Sequence, residues 1–261
     1  MRWNRLTNVL PAVLLVAALL GAWELYVDLG GVEPTLLPAP HAIASSLWEN
    51  SDLLLKNFVI TAKEVLLGLG LALLSGFAMA VAIHLWRPVR RAVYPPAVGS
   101  QAVPIAVISP LLVFWWGFGI FPKLIVIALI CFFPVVVTTV DGLTAVDRDQ
   151  HKLLRTLDAS RWQAFRFAEL PAALPAALSG ARIAVAVGVI AAFIAESQTA
   201  TIGPYGGLGR EIVSDESALQ DPRAWAAATV LCLFAIACFY TLTLAEHKLA
   251  PWTNRPIGDQ P

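Results

Sequence analysis

The sequence predicts an all-α integral membrane protein, a bundle of six transmembrane helices, on three observations. Hydrophobic residues fill 58% of the 261 positions and charged residues 14%, a balance too apolar for a water-soluble domain. Uncharged runs at 9–23, 65–83, 92–122, 124–140, 183–195 and 224–245 mostly approach the ~20 residues that cross a bilayer as a helix. Segments of alternating polarity, the mark of a membrane barrel, are missing, and lipid offers an unpaired backbone amide no partner, so the runs read as helices.

The elements follow in chain order. Arg2 and Arg5 precede the first run as they would in a cleaved export signal, but the nearest small-x-small site, Ala42-Ile43-Ala44, lies far past the apolar core. Residues 9–27 are therefore expected to remain as a span. Residues 28–58 form an external loop, broken early by Pro34, Pro38 and Pro40, with a short interfacial helix over 41–50. The second span starts near Val59 and ends at the basic turn Trp86-Arg87-Pro88-Val89-Arg90-Arg91. The third run holds Pro95, Pro96, Pro104 and Pro110, and a proline inside a helix removes a hydrogen bond and clashes one turn back, so a bent or interrupted helix is expected. Membranes tolerate such breaks where protein or a water-filled cavity satisfies the freed carbonyls, which makes Pro104 and Pro110 pathway candidates. The fourth span covers 123–140, the fifth about 181–200, and a loop with Gly203, Gly206, Gly207 and Gly209 leads to the sixth, which ends at Glu246-His247-Lys248.

Orientation comes from where the cations fall, since the formal net charge is zero and implies no nucleic-acid partner. With the N-terminus inside, Arg2, Arg5, Arg87, Arg90, Arg91, Arg148, Lys152, Arg155, Arg161, Arg166, Lys248 and Arg255 lie on the cytoplasmic side. Lys56, Lys63, Lys123, Arg210 and Arg223 lie opposite, which satisfies the positive-inside rule with both termini cytoplasmic. Glu196, near the outer end of the fifth span, is the one deep carboxylate, in a medium where a central charge costs ~2.5–3.5 kcal/mol. It reads as a gate, a cation's partner, or a tie to the glycine-rich loop. Arg182 reads as a snorkelling anchor at the inner end of that span. Cys131, Cys232 and Cys238 lie within spans without metal or disulfide spacing, and the scattered His41, His84, His151 and His247 make no zinc motif. No catalytic, cofactor-binding or metal-binding residue is assigned.

Between Asp141 and Ile183 the chain turns charged and patterned, more than a connection between two spans needs. Over 147–157, Leu153, Leu154 and Leu157 share one helical face and Arg148, Lys152 and Arg155 another. Asp158-Ala159-Ser160 makes a turn, and Ser160 with Gln163 has the capping-box pattern of a new helix start. That second helix carries Trp162 and Phe165 and is expected to stop before Pro171, with Leu170-Pro171 and Pro175 fixing its angle to the fifth span. Basic amphipathic helices between spans can also rest on lipid headgroups.

This stretch resembles the coupling loop of permease subunits of binding-protein-dependent ABC importers, which reads Glu-Ala-Ala, three residues, Gly, nine residues, Ile-x-Leu-Pro. Counted back from Leu170-Pro171, the pattern falls on Lys152-Leu153-Leu154, Asp158 and Ala168, so only the Leu-Pro end and the spacing are kept. Asp tolerates a left-handed turn better than most residues, so Asp158 can still serve where the family has glycine. Ala159-Ser160-Arg161-Trp162-Gln163, Leu170-Pro171-Ala172-Ala173-Leu174-Pro175, the stretch from Val103-Pro104 through Pro110-Leu111 to Trp116-Gly117-Phe118-Gly119, Glu196 and Gly207-Leu208-Gly209 are similar to the sulfonate, taurine and nitrate branch. From Leu36-Leu37-Pro38-Ala39-Pro40 onward the resemblance covers nearly the whole chain.

The resemblance implies a type I ABC importer permease-like bundle in the bacterial plasma membrane, paired with a second copy of itself. Its partners would be two ABC ATPase subunits and an external solute-binding protein. Lys152, Leu153, Leu154, Leu157, Asp158, Ala159, Ser160, Trp162, Leu170 and Pro171 would then form the ATPase-coupling set. The chain would divide into an anchor helix and external loop (1–58), a core (59–245) with the coupling loop at 142–180, and a cytoplasmic tail (246–261). No Gly-x4-Gly-Lys-Ser/Thr phosphate loop occurs, so ATP and Mg are expected on the partner subunits and this chain is not read as an enzyme. The expected solute is a sulfonate, taurine, nitrate or similar small molecule, with a pyrimidine-type vitamin precursor as the alternative. An ion-gradient transporter would need more intramembrane acids or two matching halves. A membrane-embedded enzyme would need convergent polar residues at one depth.

Overall fold

The computed structural model describes residues 3–33, 36–100, 104–198, 206–218 and 221–250. Pro34, Val103, Gly203 and the tail 251–261 lie outside the described residues, as do the side chains of Arg148, His151, Arg155 and His247. Every regular element among the described residues is a helix: α1 (Trp3–Gly30), α2 (Pro40–Glu49), α3 (Ser51–Leu85), α4 (Arg87–Ser100), α5 (Ile105–Trp116), α6 (Ile120–Thr144), α7 (Arg148–Thr156), α8 (Arg161–Ala164) with a π-turn (Phe165–Glu169), α9 (Leu170–Ser197), α10 (Leu208–Ser217) and α11 (Asp221–Leu249). Among the described residues, five stretches are long and apolar enough to cross a membrane: Val13–Gly30, Ser51–Leu85, Ile120–Thr144, Arg161–Ser197 and Pro222–Glu246. The third apolar run is the interrupted one, divided between α4, which contains Pro95 and Pro96, and the short apolar α5, which contains Pro110.

The chain forms two compact units, one from 1–60 with 203–231 and the other from 61–202 with 232–261. In the first, Trp23 of α1 and Trp225 of α11 meet at a ring-centroid distance of 5.8 Å. The His41 ring, at the start of α2, contacts the Glu24 carboxylate of α1. Asn57 is fully buried, and its Oδ1 accepts the N–H groups of Gly206 and Gly207, 3.1 Å from each. The amide that seats this loop also donates to Glu211 at 3.2 Å. Gly207 has φ 98°, a backbone conformation that side-chain-bearing residues rarely adopt.

The second unit is built around α6, which packs small-residue seams. On α9, Ala176, Gly180, Ala184, Gly188 and Ala192 recur every fourth residue, the spacing that lets membrane helices approach closely. A Cβ at Gly180 would fall 1.9 Å from Thr138 Oγ1, and one at Gly188 would fall 2.9 Å from Cys131 Sγ. Cys131 Sγ donates to the carbonyl of Ala184 at 3.1 Å, so this cysteine is part of the packing. Gly68, Ala72, Gly76 and Ala80 repeat the spacing on α3; there, Cβ atoms on Gly68 and Gly76 would run into Ile127 and Val135 of α6. Without water to drive helices together in lipid, dispersion across these seams is the main source of cohesion.

Two expectations change. α3 begins at Ser51, eight residues before the expected start near Val59, because nothing between Ser51 and Phe58 interrupts a helix. The second loop helix does not stop before Pro171. Residues 161–197 run on as one 37-residue stretch, about 55 Å at 1.5 Å per residue and longer than a ~30 Å hydrocarbon layer. The π-turn supplies the reason: the N–H of Leu170 reaches back to the carbonyl of Phe165, widening the helix immediately before the proline ring.

Candidate functional site

The loop between α6 and α9 forms one locus. Leu153 is 61% exposed, Leu157 69% and Trp162 60%, while Leu154 is half-buried, so three large apolar side chains project from α7, the turn after it and α8. Lys152 is exposed and pairs with Asp149 at 2.7 Å, one turn away, a surface contact of small energy. The reversal after α7 is a Schellman closure: the N–H of Ala159 reaches the carbonyl of Leu154 at 3.0 Å. That geometry needs a left-handed residue at position 158. Asp158 adopts it with φ 51°, the only non-glycine residue at positive φ among the described residues. Ser160 then opens α8 with the expected capping box. Its Oγ accepts the Gln163 N–H at 3.3 Å, and its own N–H donates to Gln163 Oε1 at 2.7 Å.

Behind this surface, Phe165 is 4% exposed and packs with Leu143, Ala173, Val81, Leu85 and Leu170. Pro171 is exposed on the outer side of the same rod. Of the coupling set, Leu153, Leu157 and Trp162 form the projecting face, Asp158, Ala159 and Ser160 shape the turn, and Leu170 belongs to the packing.

A second locus lies at the other end of α6 and α9, since Lys123 sits in the first turn of α6 and Glu196 in the last turn of α9. Glu196 is fully buried, and Thr61 Oγ1 of α3 donates to its Oε1 at 2.7 Å. It is not the one deep carboxylate. Glu64 of α3 is 3% exposed and accepts from Lys123 Nζ, itself 5% exposed, at 2.8 Å. The Glu196 side chain is a hydrogen-bonding neighbour of Glu64 as well. Lys123 was expected among the cations of the outer side; here its ammonium meets a carboxylate inside the bundle, which lowers the cost of burying that carboxylate. The sequence hid this because Glu64 stands one residue before the uncharged run and Lys123 at the margin of another, and nothing local pairs residues 59 positions apart.

Of the two proline candidates, Pro104 is the N-terminal cap residue of α5 and Pro110 is exposed within it. α5 packs Leu112 against Val126 and Ala195, so the proline-bearing helix lies beside the residue preceding Glu196. Arg182 does not merely snorkel: its Nη1 lies 3.2 Å from Glu246 Oε2 of α11. In the unit that contains α10, burial and the neighbouring Asp215 push the Glu211 carboxyl up, against the opposing pull of Arg223, Arg210 and the Asn57 amide.

The family model described as "Binding-protein-dependent transport system inner membrane component" matches residues 68–251. The formylaminopyrimidine transport permease protein ThiX of Halalkalibacterium halodurans is 31% identical over 253 residues, covering 97% of this chain and 99% of that protein. The taurine transport system permease protein TauC of Escherichia coli is 28% identical over 258 residues, covering 96% and 92%. A crystal structure of an amino acid ABC transporter with histidines superposes with a TM-score of 0.63 at 17% identity over 78% of this chain and 97% of that one, a likeness of fold.

Proposed function

This chain belongs to the family of binding-protein-dependent transport system inner membrane components, as a multi-pass permease subunit of an ABC importer, and we propose that it passes a small planar heterocycle of the pyrimidine vitamin-precursor kind. The similarity that runs through nearly the whole of both chains to a formylaminopyrimidine permease carries the substrate reading. A sulfonate or taurine is the second reading, favoured by the similarity to the taurine permease.

In this reading the N-terminus and the 145–160 loop face the cytoplasm, an external binding protein delivers the solute, and two copies of the chain enclose the path. ATP and Mg bind on two ATPase subunits. The projecting Leu153, Leu157 and Trp162 enter a groove on each ATPase, with Lys152 and Leu154 alongside and the Asp158 turn fixing the angle of entry. The core within 59–245 converts the displacement into alternating access, because a ligand shifts a two-state equilibrium only by contacting the states differently. Pro104 and Pro110 lie on the path side of this core, and Glu196, buried within the chain, acts as a gate residue behind it.

Reconstitution of the permease with its ATPase and binding protein in proteoliposomes tests the reading. ATP-dependent accumulation of a formylaminopyrimidine in preference to taurine supports the heterocycle. Accumulation of taurine alone replaces it with the second reading, and accumulation of either solute without ATPase removes the importer mechanism.

A further inference from the structure

α9 receives any movement of the loop directly, because it continues α8 through the π-turn. α3 has no such covalent link, yet the structure fastens its end to the loop in three ways. His84 Nε2 lies 2.7 Å from Glu169 Oε2, and the two side chains are only 16% and 13% exposed. Arg161, the first residue of α8, donates from Nη2 to the carbonyl of Leu85, the last residue of α3, at 2.9 Å. Phe165 fills the space between, packed on Val81 and Leu85 with its ring 6.3 Å from the His84 ring.

Phe165 and Glu169 are four residues apart in a segment bonded five residues back, so they stay within a turn of each other on one face. That face is the one α3 covers. An apolar contact such as Phe165 can slide; a directional contact of 2.7 Å between two mostly buried polar groups resists it.

We propose that His84 and Glu169 are positioning residues for energy coupling: they fasten the end of α3 to the loop so that α3 moves with α8 and α9 as one body when the ATPase displaces the loop. This rests on the coupling reading of the loop given above. The consequence is that the ATPase drives two spans through each loop, one by chain continuity and one by this clasp.

The test uses the complete importer in proteoliposomes, with ATPase co-purification, ATP hydrolysis and solute uptake measured on each variant. In H84A and in the isosteric E169Q, the ATPase should co-purify as with the unaltered chain, while solute moved per ATP falls roughly tenfold, within the range of couplings between sites. The double variant should be no worse than either single one, because both remove the same link. As a second measurement, H84C/E169C in a background lacking the three native cysteines is bridged with a short bis-methanethiosulfonate, each thiol displacing one sulfinate; uptake should persist with the bridge in place. Normal uptake per ATP in H84A and E169Q, or a bridge that stops uptake, overturns the clasp. Failure of the unaltered chain to retain its ATPase would instead remove the coupling reading itself.

Discussion

Lys123 Nζ donates to Glu64 Oε1 across 2.8 Å, joining α6 to α3 through a contact that solvent barely reaches. Removing one member takes from the other its buried opposite charge, which costs about 3–5 kcal/mol. K123A and E64A alone should therefore lower the thermal midpoint of the purified protein markedly, whereas the pair K123M/E64L should recover most of the loss. Single variants as stable as the parent would show that the pair does not hold these helices.

Gly180 faces Thr138 across the α6 and α9 seam with no room for a side chain. G180A forces a shift against Thr138 Oγ1, and destabilisation of about 1–3 kcal/mol is expected. Adding T138A removes the atom that would lie at 1.9 Å and leaves the Pro134 carbonyl at 3.1 Å, so the double variant should regain part of the stability in a detergent unfolding series. No recovery would place the strain elsewhere.

Asp158 holds a left-handed backbone that glycine adopts without steric cost. D158G should keep the turn and the ATPase interaction, with local stability unchanged or raised by up to about 1 kcal/mol. D158V should weaken both, because a β-branched residue at positive φ is strained. Hydrogen exchange at Leu157 to Gln163 reads the turn directly; identical protection in the two variants would contradict the assignment.

Hydrogen bonding to Glu24, and then that carboxylate's charge, raises His41 above its ordinary 6.5. A raised histidine lends stability that is full below the unfolded value and lost as pH rises through the folded one. The contact between α1 and α2 should therefore weaken toward alkaline pH, and E24Q should bring the His41 titration, followed by NMR in nanodiscs, back toward 6.5. A midpoint unmoved by E24Q would separate the two residues.

What could be read in the sequence was what chemistry places locally. The apolar runs named the spans, the four-proline run announced the break between α4 and α5, and Ser160 with Gln163 announced a cap that forms as drawn. Glycine's place in the family loop, taken here by Asp158, pointed to a left-handed turn, and the turn is there. What stayed hidden depends on partners far along the chain: Lys123 with Glu64, His84 with Glu169, Arg182 with Glu246. The continuity through Pro171 was hidden for a different reason, since a π-turn has no sequence signature and the proline alone argues for a stop.

The loop between α6 and α9 as the seat of the ATPase is tested most directly by a photo-reactive benzophenone amino acid placed at Leu157 in the intact importer, with Leu29, also exposed, on α1 as the control site. Irradiation should join the permease to the ATPase subunit from Leu157 and not from Leu29. An adduct with lipid alone at Leu157, or one with the external binding protein, would contradict the role given to this loop.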